Sequence, residues 1–172
     1  IYGRCDNVNE QWVSLLEKAF AKYHGNYECL NHGDVAEGLV ELTGGSCEAI
    51  ALNSTPVQEM VKSGKLWDML TLHLADQHMV TCGVETGDED DYTVDESTGL
   101  LNNHAYSVLM VKHVLGFEFV RVRSPWGGGV WTGEWSDDSP KWEDFPEVLE
   151  NLKDDASVQW ERRSYDGTFW MK

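Results

Sequence analysis

The sequence has few basic residues, and it lacks any long apolar run. Thirteen Lys and Arg residues stand against 30 Asp and Glu residues, which gives a formal net charge of -17. A chain with this charge repels nucleic-acid phosphates and anionic lipids, so we expect it to bind neither nucleic acid nor a membrane surface. No stretch approaches the roughly 18 apolar residues that a membrane-spanning helix needs, and the start does not read as a signal peptide.

The sequence is also poor in cysteine, with four that form no C-x-x-C pair: Cys5, Cys29, Cys47 and Cys82. This spacing is typical of neither a zinc ribbon nor a disulfide-rich secreted domain. It favours a reducing compartment, so we expect an intracellular, cytoplasmic protein. Because the chain begins at Ile1 and ends at Lys172 directly after an apolar run, we also expect it to be a piece of a longer polypeptide.

The first half of the chain has the periodicity of helices. In "NEQWVSLLEKAFAKYHG", apolar residues recur at spacings of three and four and Gly25 follows as a stop. A second stretch, "GDVAEGLVELTGG", predicts a helix that ends at the Gly44-Gly45 pair. The segment "TPVQEMVKSGKLWDMLTLHLADQH" predicts one further amphipathic helix.

The second half predicts β-strands. Five short runs are rich in Val, Tyr, Phe and Trp and are broken by Gly, Pro or Asp: "HMVTCGVE", "HAYSVLMVKHV", "FEFVRVRSP", "VWTGEWS" and "GTFWM". Between the first two runs, residues 85–99 are mostly acidic and polar, which predicts a solvated loop. The spacing of these carboxylates does not match the twelve-residue calcium-binding loop.

His104 is the histidine with the most informative neighbourhood. It enters the apolar run "AYSVLMV", and the turn Ser124-Pro125-Trp126-Gly127 follows 20 residues later, at the end of the next predicted strand. Two adjacent antiparallel strands would bring the imidazole and this turn together. A general base needs an acceptor on one ring nitrogen to place its proton, and an indole over the pair would exclude water. From the residues alone, a satisfied core histidine remains an alternative.

Longer motifs carry a family resemblance. "NNHAYSV", then "RVRSPWGGGVWTGEWSDDSPKW" and "YDGTFWM", resemble the catalytic half of the calpains, which are papain-like cysteine endopeptidases. The upstream segment from about Trp12 to Gly45 resembles the part of the same core that precedes this half. The resemblance implies an α+β papain-like fold. Residues 1–43 would be the end of the helical first lobe, and residues 44–172 the β-rich second lobe with antiparallel sheets.

The resemblance also implies roles for residues. His104 would deprotonate a cysteine thiol and later protonate the leaving amine. Trp126 would cover the histidine and its orienting partner, while Gly44, Gly45 and Asn103 would lie along the substrate. The implied substrates are proteins or peptides, cleaved through a thioester, and the implied partner is the remainder of the first lobe.

Two departures from the calpain pattern concern catalysis. The calpain nucleophile lies in a Gly-x-Cys-Trp setting, which none of the four cysteines has, and Cys47 alone lies near the expected cleft. We therefore expect this chain alone not to cleave peptides. Ser124 stands where the family has the asparagine that orients the histidine, and a hydroxyl is shorter than an amide side chain. The alternative function is a calpain-like pseudopeptidase that binds or regulates another protein.

The third departure concerns calcium. Asp137 and Asp166 match two ligands of a calpain calcium site, but the acidic residues expected near Val130 and Thr168 are missing. Calcium takes about six to eight oxygens, several from carboxylates, so we expect no cofactor and no calcium activation through this lobe. The tryptophans of this half are expected to pack its interior rather than to bind carbohydrate or peptide.

Overall fold

The computed structural model describes residues 3, 5, 7–31, 33–86, 91–127, 130–158, 160–162 and 166–172. The chain divides into two compact units, residues 1–50 and residues 51–172. These units need not coincide with the lobes of a protease core, so the expected lobe boundary after residue 43 stays a prediction.

The unit of residues 1–50 is helical, as the periodicity predicts. Helix α1 (Trp12–His24) ends at Gly25, and a 3₁₀ turn follows at Tyr27–Leu30. Asp34 caps the start of helix α2 (Val35–Thr43), where its side chain accepts hydrogen bonds from two main-chain amides of the first turn. Gly44 closes α2 with φ +70°, a left-handed conformation that favours glycine.

In the unit of residues 51–172, the single helix predicted between Thr55 and His78 is wrong. Two helices are present, α3 (Thr55–Lys62) and α4 (Lys65–Ala75). Gly64 separates them because its φ of +77° departs from helical geometry. Two further helices that the sequence did not lead us to predict are α5 (Lys141–Asp144) and α6 (Pro146–Asp154).

Four of the five predicted strands form one antiparallel sheet in the order β1-β2-β3-β4. The strands are β1 (Val80–Val84), β2 (His104–Val114), β3 (Phe117–Arg123) and β4 (Thr168–Met171). Strands β2 and β3 are joined by a tight hairpin at residues 115–116, both with positive φ. Val84 pairs with His104, so the start of β2 lies at the end of β1.

The remaining predicted strand, "VWTGEWS" at residues 130–136, is wrong. The segment forms turns in which the main-chain amide of Ser136 donates to the oxygen of Gly133. Trp135 has φ +67° and is buried against Phe119 and Trp142. Core packing of the indole therefore overrides the alternation that favours a strand.

Hydrophobic side chains cover both faces of the sheet. One cluster contains Phe119, Trp135, Trp142, Val148, Leu152, Val158, Trp160 and Trp170. A smaller cluster on the other face contains Tyr106, Val122 and Phe169. Four of the tryptophans thus pack the interior as expected, whereas Trp126 is 67% exposed. The helices and the antiparallel sheet confirm the α+β, papain-like fold class.

None of the helices in the described ranges combines the length and the apolar character that crossing a bilayer would require.

Candidate functional site

The structure brings His104 and Ser124 together. Both side chains lie on the face of the sheet that carries Tyr106 and Val122. His104 Nε2 lies 3.4 Å from Ser124 Oγ, so the two strands bring them together as expected, and the residues are 7% and 1% exposed. The described residues provide no hydrogen bond to Nδ1 of His104. This arrangement leaves Nδ1 for an incoming proton donor.

Two aromatic rings surround the imidazole. The centroid of Trp126 lies 4.4 Å from that of His104, and Tyr106 contacts the ring edge-on at 4.8 Å. Burial lowers the pKa of His104 below its ordinary value because desolvation disfavours the charged ring. The neutral form, which is the form that accepts a proton, is therefore favoured near pH 7.

Ser124 is held by main-chain contacts with the turn that precedes β4. Its amide donates to the oxygen of Gly167 at 2.9 Å, and its oxygen accepts from the amide of Gly127. A Cβ atom at Gly167 would lie 2.7 Å from the oxygen of Ser124 and 2.9 Å from Cα of Gly127. The two backbones are in direct contact, so the position of Ser124 depends on this turn.

Asn103 directly precedes the histidine and has φ +46°. Its side-chain amide donates to the oxygen of Asp91 at 3.0 Å and to Oγ1 of Thr86 at 3.2 Å, and its Oδ1 accepts from the amide of Thr86. The amide thus ties the acidic segment to the start of β2. Residues 87–90 of that segment lie outside the described residues, and a substrate contact at Asn103 stays a prediction.

Three further predicted site residues belong to the unit of residues 1–50: Gly44, Gly45 and Cys47. Gly44 ends α2, and the amide of Gly45 donates to Oγ1 of Thr43 at 3.1 Å. Cys47 is exposed. Their roles at a substrate cleft stay predictions.

Cys82 shares the sheet with His104 but does not have the properties of an activated thiol. It pairs with Tyr106 across β1 and β2. Part of the residue is exposed, yet desolvation of the thiol raises its pKa. A nucleophilic cysteine needs a lowered pKa, so nothing in this environment favours Cys82 as a nucleophile.

Four other histidines lie at the surface of the described part of the chain. His24 Nε2 lies 2.8 Å from Glu41 Oε2, the Nδ1 atoms of His73 and His78 lie 2.8 Å apart, and His113 is exposed. His32 lies outside the described residues.

The two aspartates of the calcium hypothesis have other partners. Asp166 Oδ1 accepts from the amide and the hydroxyl of Thr168 at 2.9 and 2.7 Å. The main-chain oxygen of Asp137 accepts from Arg162 Nε at 2.6 Å. Within the described ranges, no group of three His, Cys, Asp or Glu residues is placed to hold a metal ion. Two carboxylates are fewer oxygen ligands than calcium takes, and the expectation of no calcium site in this lobe stays a prediction.

Sequence reasoning missed Arg121, Gly167 and Thr168, which connect the site to the rest of the sheet. Arg121 is 7% exposed although it carries a charge. The signal that would have identified it is its position two residues after Phe119 in β3, where strand alternation places a charged side chain on a buried face.

Comparison with known proteins assigns residues 1–172 to the calpain family cysteine proteases. The calpain-type cysteine protease DEK1 of Arabidopsis thaliana is 41% identical over 165 residues, which cover 95% of this chain and 7% of that protein. Calpain-12 of Homo sapiens is 36% identical over 176 residues, covering 100% of this chain and 22% of that protein. The calpain-2 catalytic subunit of Gallus gallus is 34% identical over 169 residues, which cover 95% of this chain and 22% of that protein.

The chain therefore spans less than a quarter of the length of these relatives. Their similarity nevertheless extends over nearly all of its own residues, as does the family match, and this confirms the resemblance expected from the motifs. The chain belongs to the calpain family of cysteine proteases.

Proposed function

We propose that this chain is part of the peptidase core of a calpain-like cysteine endopeptidase, in which His104 is the general base. The observation that carries the proposal is the buried pair of His104 and Ser124 beneath Trp126, with Nε2 and Oγ 3.4 Å apart. The substrates would be protein segments, and the nucleophilic cysteine and the remainder of the first lobe would come from outside these 172 residues. The compartment would be the cytoplasm.

The proposed chemistry follows from the two ring nitrogens. When Nε2 of His104 donates its hydrogen to Ser124 Oγ, Nδ1 has a free lone pair and accepts the proton of a cysteine thiol. The thiolate attacks the peptide carbonyl, the imidazolium returns its proton to the leaving amine, and water then hydrolyses the thioester. Trp126 keeps bulk water from the Nε2 hydrogen bond, which is stronger in a less polar environment.

A non-catalytic binding module is the second candidate, and Ser124 is the observation that favours it. A side-chain carbonyl accepts hydrogen bonds only, so it fixes the hydrogen of His104 on Nε2. A hydroxyl accepts or donates, and a serine that donates to Nε2 would place the ring hydrogen on Nδ1, where it blocks proton acceptance. The same cleft would then bind a protein segment without cutting it.

Replacing Ser124 separates the two candidates. In the full-length protein, we expect Ser124→Asn to raise kcat/KM on a casein-type substrate by about tenfold or more, because the amide fixes the productive tautomer. Ser124→Ala should lower kcat/KM below that of the wild type. A kcat/KM that decreases in the order Asn, Ser, Ala at position 124 would therefore show that this side chain orients His104.

Ser107→Asn is the matched control, since Ser107 is exposed on β2 and pairs with Arg123. It should leave kcat/KM unchanged. Absence of proteolysis in both the wild type and Ser124→Asn, with the fold intact, would reject the peptidase and leave the binding module.

A further inference from the structure

Arg121 is a buried cation on the face of the sheet opposite to His104. Its Nη1 donates to the main-chain oxygen of Val158, and its Nη2 donates to Oγ1 of Thr168 at 3.4 Å. Its Cζ atom lies 6.0 Å from the ring centroid of Trp170. Burying a guanidinium is costly unless hydrogen bonds and opposite charges compensate it.

The charge of Arg121 is compensated by Asp137 and Asp166, the two aspartates that match calcium ligands of the calpains. Desolvation lowers the pKa of Arg121, whereas the negative charges of Asp166 and Asp137 act to raise it. Thr168 connects the guanidinium to one of them, because its hydroxyl accepts from Arg121 and donates to Asp166 Oδ1 at 2.7 Å. The guanidinium of Arg121 thus supplies a positive charge near the carboxylates of Asp137 and Asp166.

A second guanidinium braces the loop that carries Asp137. Arg162 donates from Nε to the oxygen of Asp137 at 2.6 Å and from Nη2 to the oxygen of Ser139 at 3.2 Å, while its Nη1 lies 2.8 Å from Glu143 Oε1. Carbonyl oxygens of this kind are also calcium ligands. In this chain the carbonyl oxygens of Asp137 and Ser139 accept hydrogen bonds from the side chain of Arg162.

The segment that Arg121 contacts through Thr168 is the one that holds Ser124. Gly167 lies between Asp166 and Thr168, its oxygen accepts the amide of Ser124, and its Cα allows no Cβ without contact below 3 Å to Ser124 and Gly127. Gly127 follows Trp126 in the same turn. A displacement of residues 166–168 would therefore displace both the serine and the indole at His104.

We infer that Arg121 is a positioning residue: its guanidinium fixes residues 166–168 and thereby keeps Ser124 and Trp126 against His104 without calcium. The contacts from Arg121 to Ser124 do not depend on what His104 does. Their effect on catalysis rests on the proposed function of His104 as a general base. An exposed cation on the same strand, Arg123, lacks these buried contacts and is the natural comparison.

The test measures the reactivity of His104 in the full-length protein rather than proteolysis. Diethyl pyrocarbonate modifies neutral imidazoles, and peptide mass spectrometry gives the rate at His104 against pH, with the exposed His113 as internal reference. Arg121→Gln should raise the rate at His104 by about fivefold or more, as local opening becomes easier. The pH midpoint should also rise towards the ordinary histidine value, because the ring becomes hydrated.

Three variants and one ligand complete the experiment. Arg121→Lys retains the charge and should restore most of the wild-type rate and pH midpoint, whereas Arg123→Gln should match the wild type. Thr168→Val keeps the side-chain volume and the cation but cuts the contact with Asp166, so it should change His104 in the same direction as Arg121→Gln. Calcium chloride at millimolar concentration should leave the wild-type rate and midpoint unchanged.

The inference is overturned if a folded Arg121→Gln protein modifies His104 with the wild-type rate and midpoint, or if calcium changes either quantity in the wild type. If Arg121→Gln does not fold, Thr168→Val decides: an unchanged His104 overturns the inference, and a faster one supports it. A protein that shows all the expected changes but cleaves no substrate would contradict the peptidase proposal alone.

Discussion

At the residue scale, the environment of His104 has a defined consequence for pH. The pKa of His104 is lower in the folded chain than the ordinary 6.5, so the folded chain binds fewer protons than the unfolded chain just below that value. Stability contributed by the neutral ring is therefore present above pH 6.5 and is lost as the pH falls through 6.5 towards the folded pKa. Trp126 is one of the groups that surround the imidazole, with its ring centroid 4.4 Å away.

Removing that ring tests the cause. Trp126→Ala should raise the pKa of His104 towards the ordinary value because water reaches the imidazole, and the carbethoxylation midpoint of His104 measures this change. The free energy of unfolding should change by no more than about 1 kcal/mol, since Trp126 is 67% exposed. An unchanged midpoint in Trp126→Ala would contradict the shielding role, and the midpoint of exposed His113 should not move.

At the element scale, one glycine determines how the turn before β4 meets the end of β3. Gly167 and Gly116 both have positive φ, at +82° and +86°, so an alanine at either position incurs a similar conformational cost of about 1 to 2 kcal/mol. Only at Gly167 would the new Cβ lie 2.7 Å from the oxygen of Ser124. At Gly116 nothing lies within 4 Å of the new atom.

Gly167→Ala should therefore displace Ser124, raise the reactivity of His104 and lower kcat/KM of the full-length protein. Gly116→Ala should reduce stability by a similar conformational cost and leave kcat/KM unchanged. Equal effects of the two substitutions on kcat/KM would show that contact between the two backbones is not what positions the serine.

The element scale also shows what the sequence predicts well and why it fails elsewhere. Helix ends at Gly25 and Gly44 were predictable because a residue with positive φ stops a helix locally. The break at Gly64 was missed since the apolar periodicity continues across it. Helix α6 was missed although Pro146 at its start and the buried pair Val148 and Leu152, spaced by four, are visible signals.

Non-local contacts explain the remaining errors. The alternation in residues 130–136 favours a strand, but Trp135 is buried among rings from distant segments, and no local rule predicts that packing. The proximity of His104 and Ser124 was predictable because two adjacent strands fix it. Arg121 and Gly167 were missed because their importance depends on the pairing of β3 with β4, in which Arg123 pairs with Thr168, 45 positions later in the chain.

At the scale of the whole molecule, one aromatic cluster supports the sheet on which the site is built. Phe119 has no exposed surface, and its ring contacts Trp135, Trp142 and Trp170. Phe119→Ala should lower the free energy of unfolding by about 3 to 5 kcal/mol, because the cavity loses both hydrophobic burial and packing. Urea unfolding followed by circular dichroism measures the change.

Leu109 provides the comparison on β2, since it is 39% exposed at the irregularity between Val108 and Met110. Leu109→Ala should cost less than about 1.5 kcal/mol. A Phe119→Ala cost no greater than that of Leu109→Ala would mean that the cluster is not the main source of stability in this unit.

We propose above that His104 performs proton transfer in a calpain-family peptidase core. The most direct measurement is kcat/KM of the full-length protein on a casein-type substrate, with and without His104→Gln, which retains a polar side chain but cannot act as a base near pH 7. We expect His104→Gln to lower kcat/KM by about a thousandfold or more. Proteolysis by His104→Gln at the wild-type rate would contradict it.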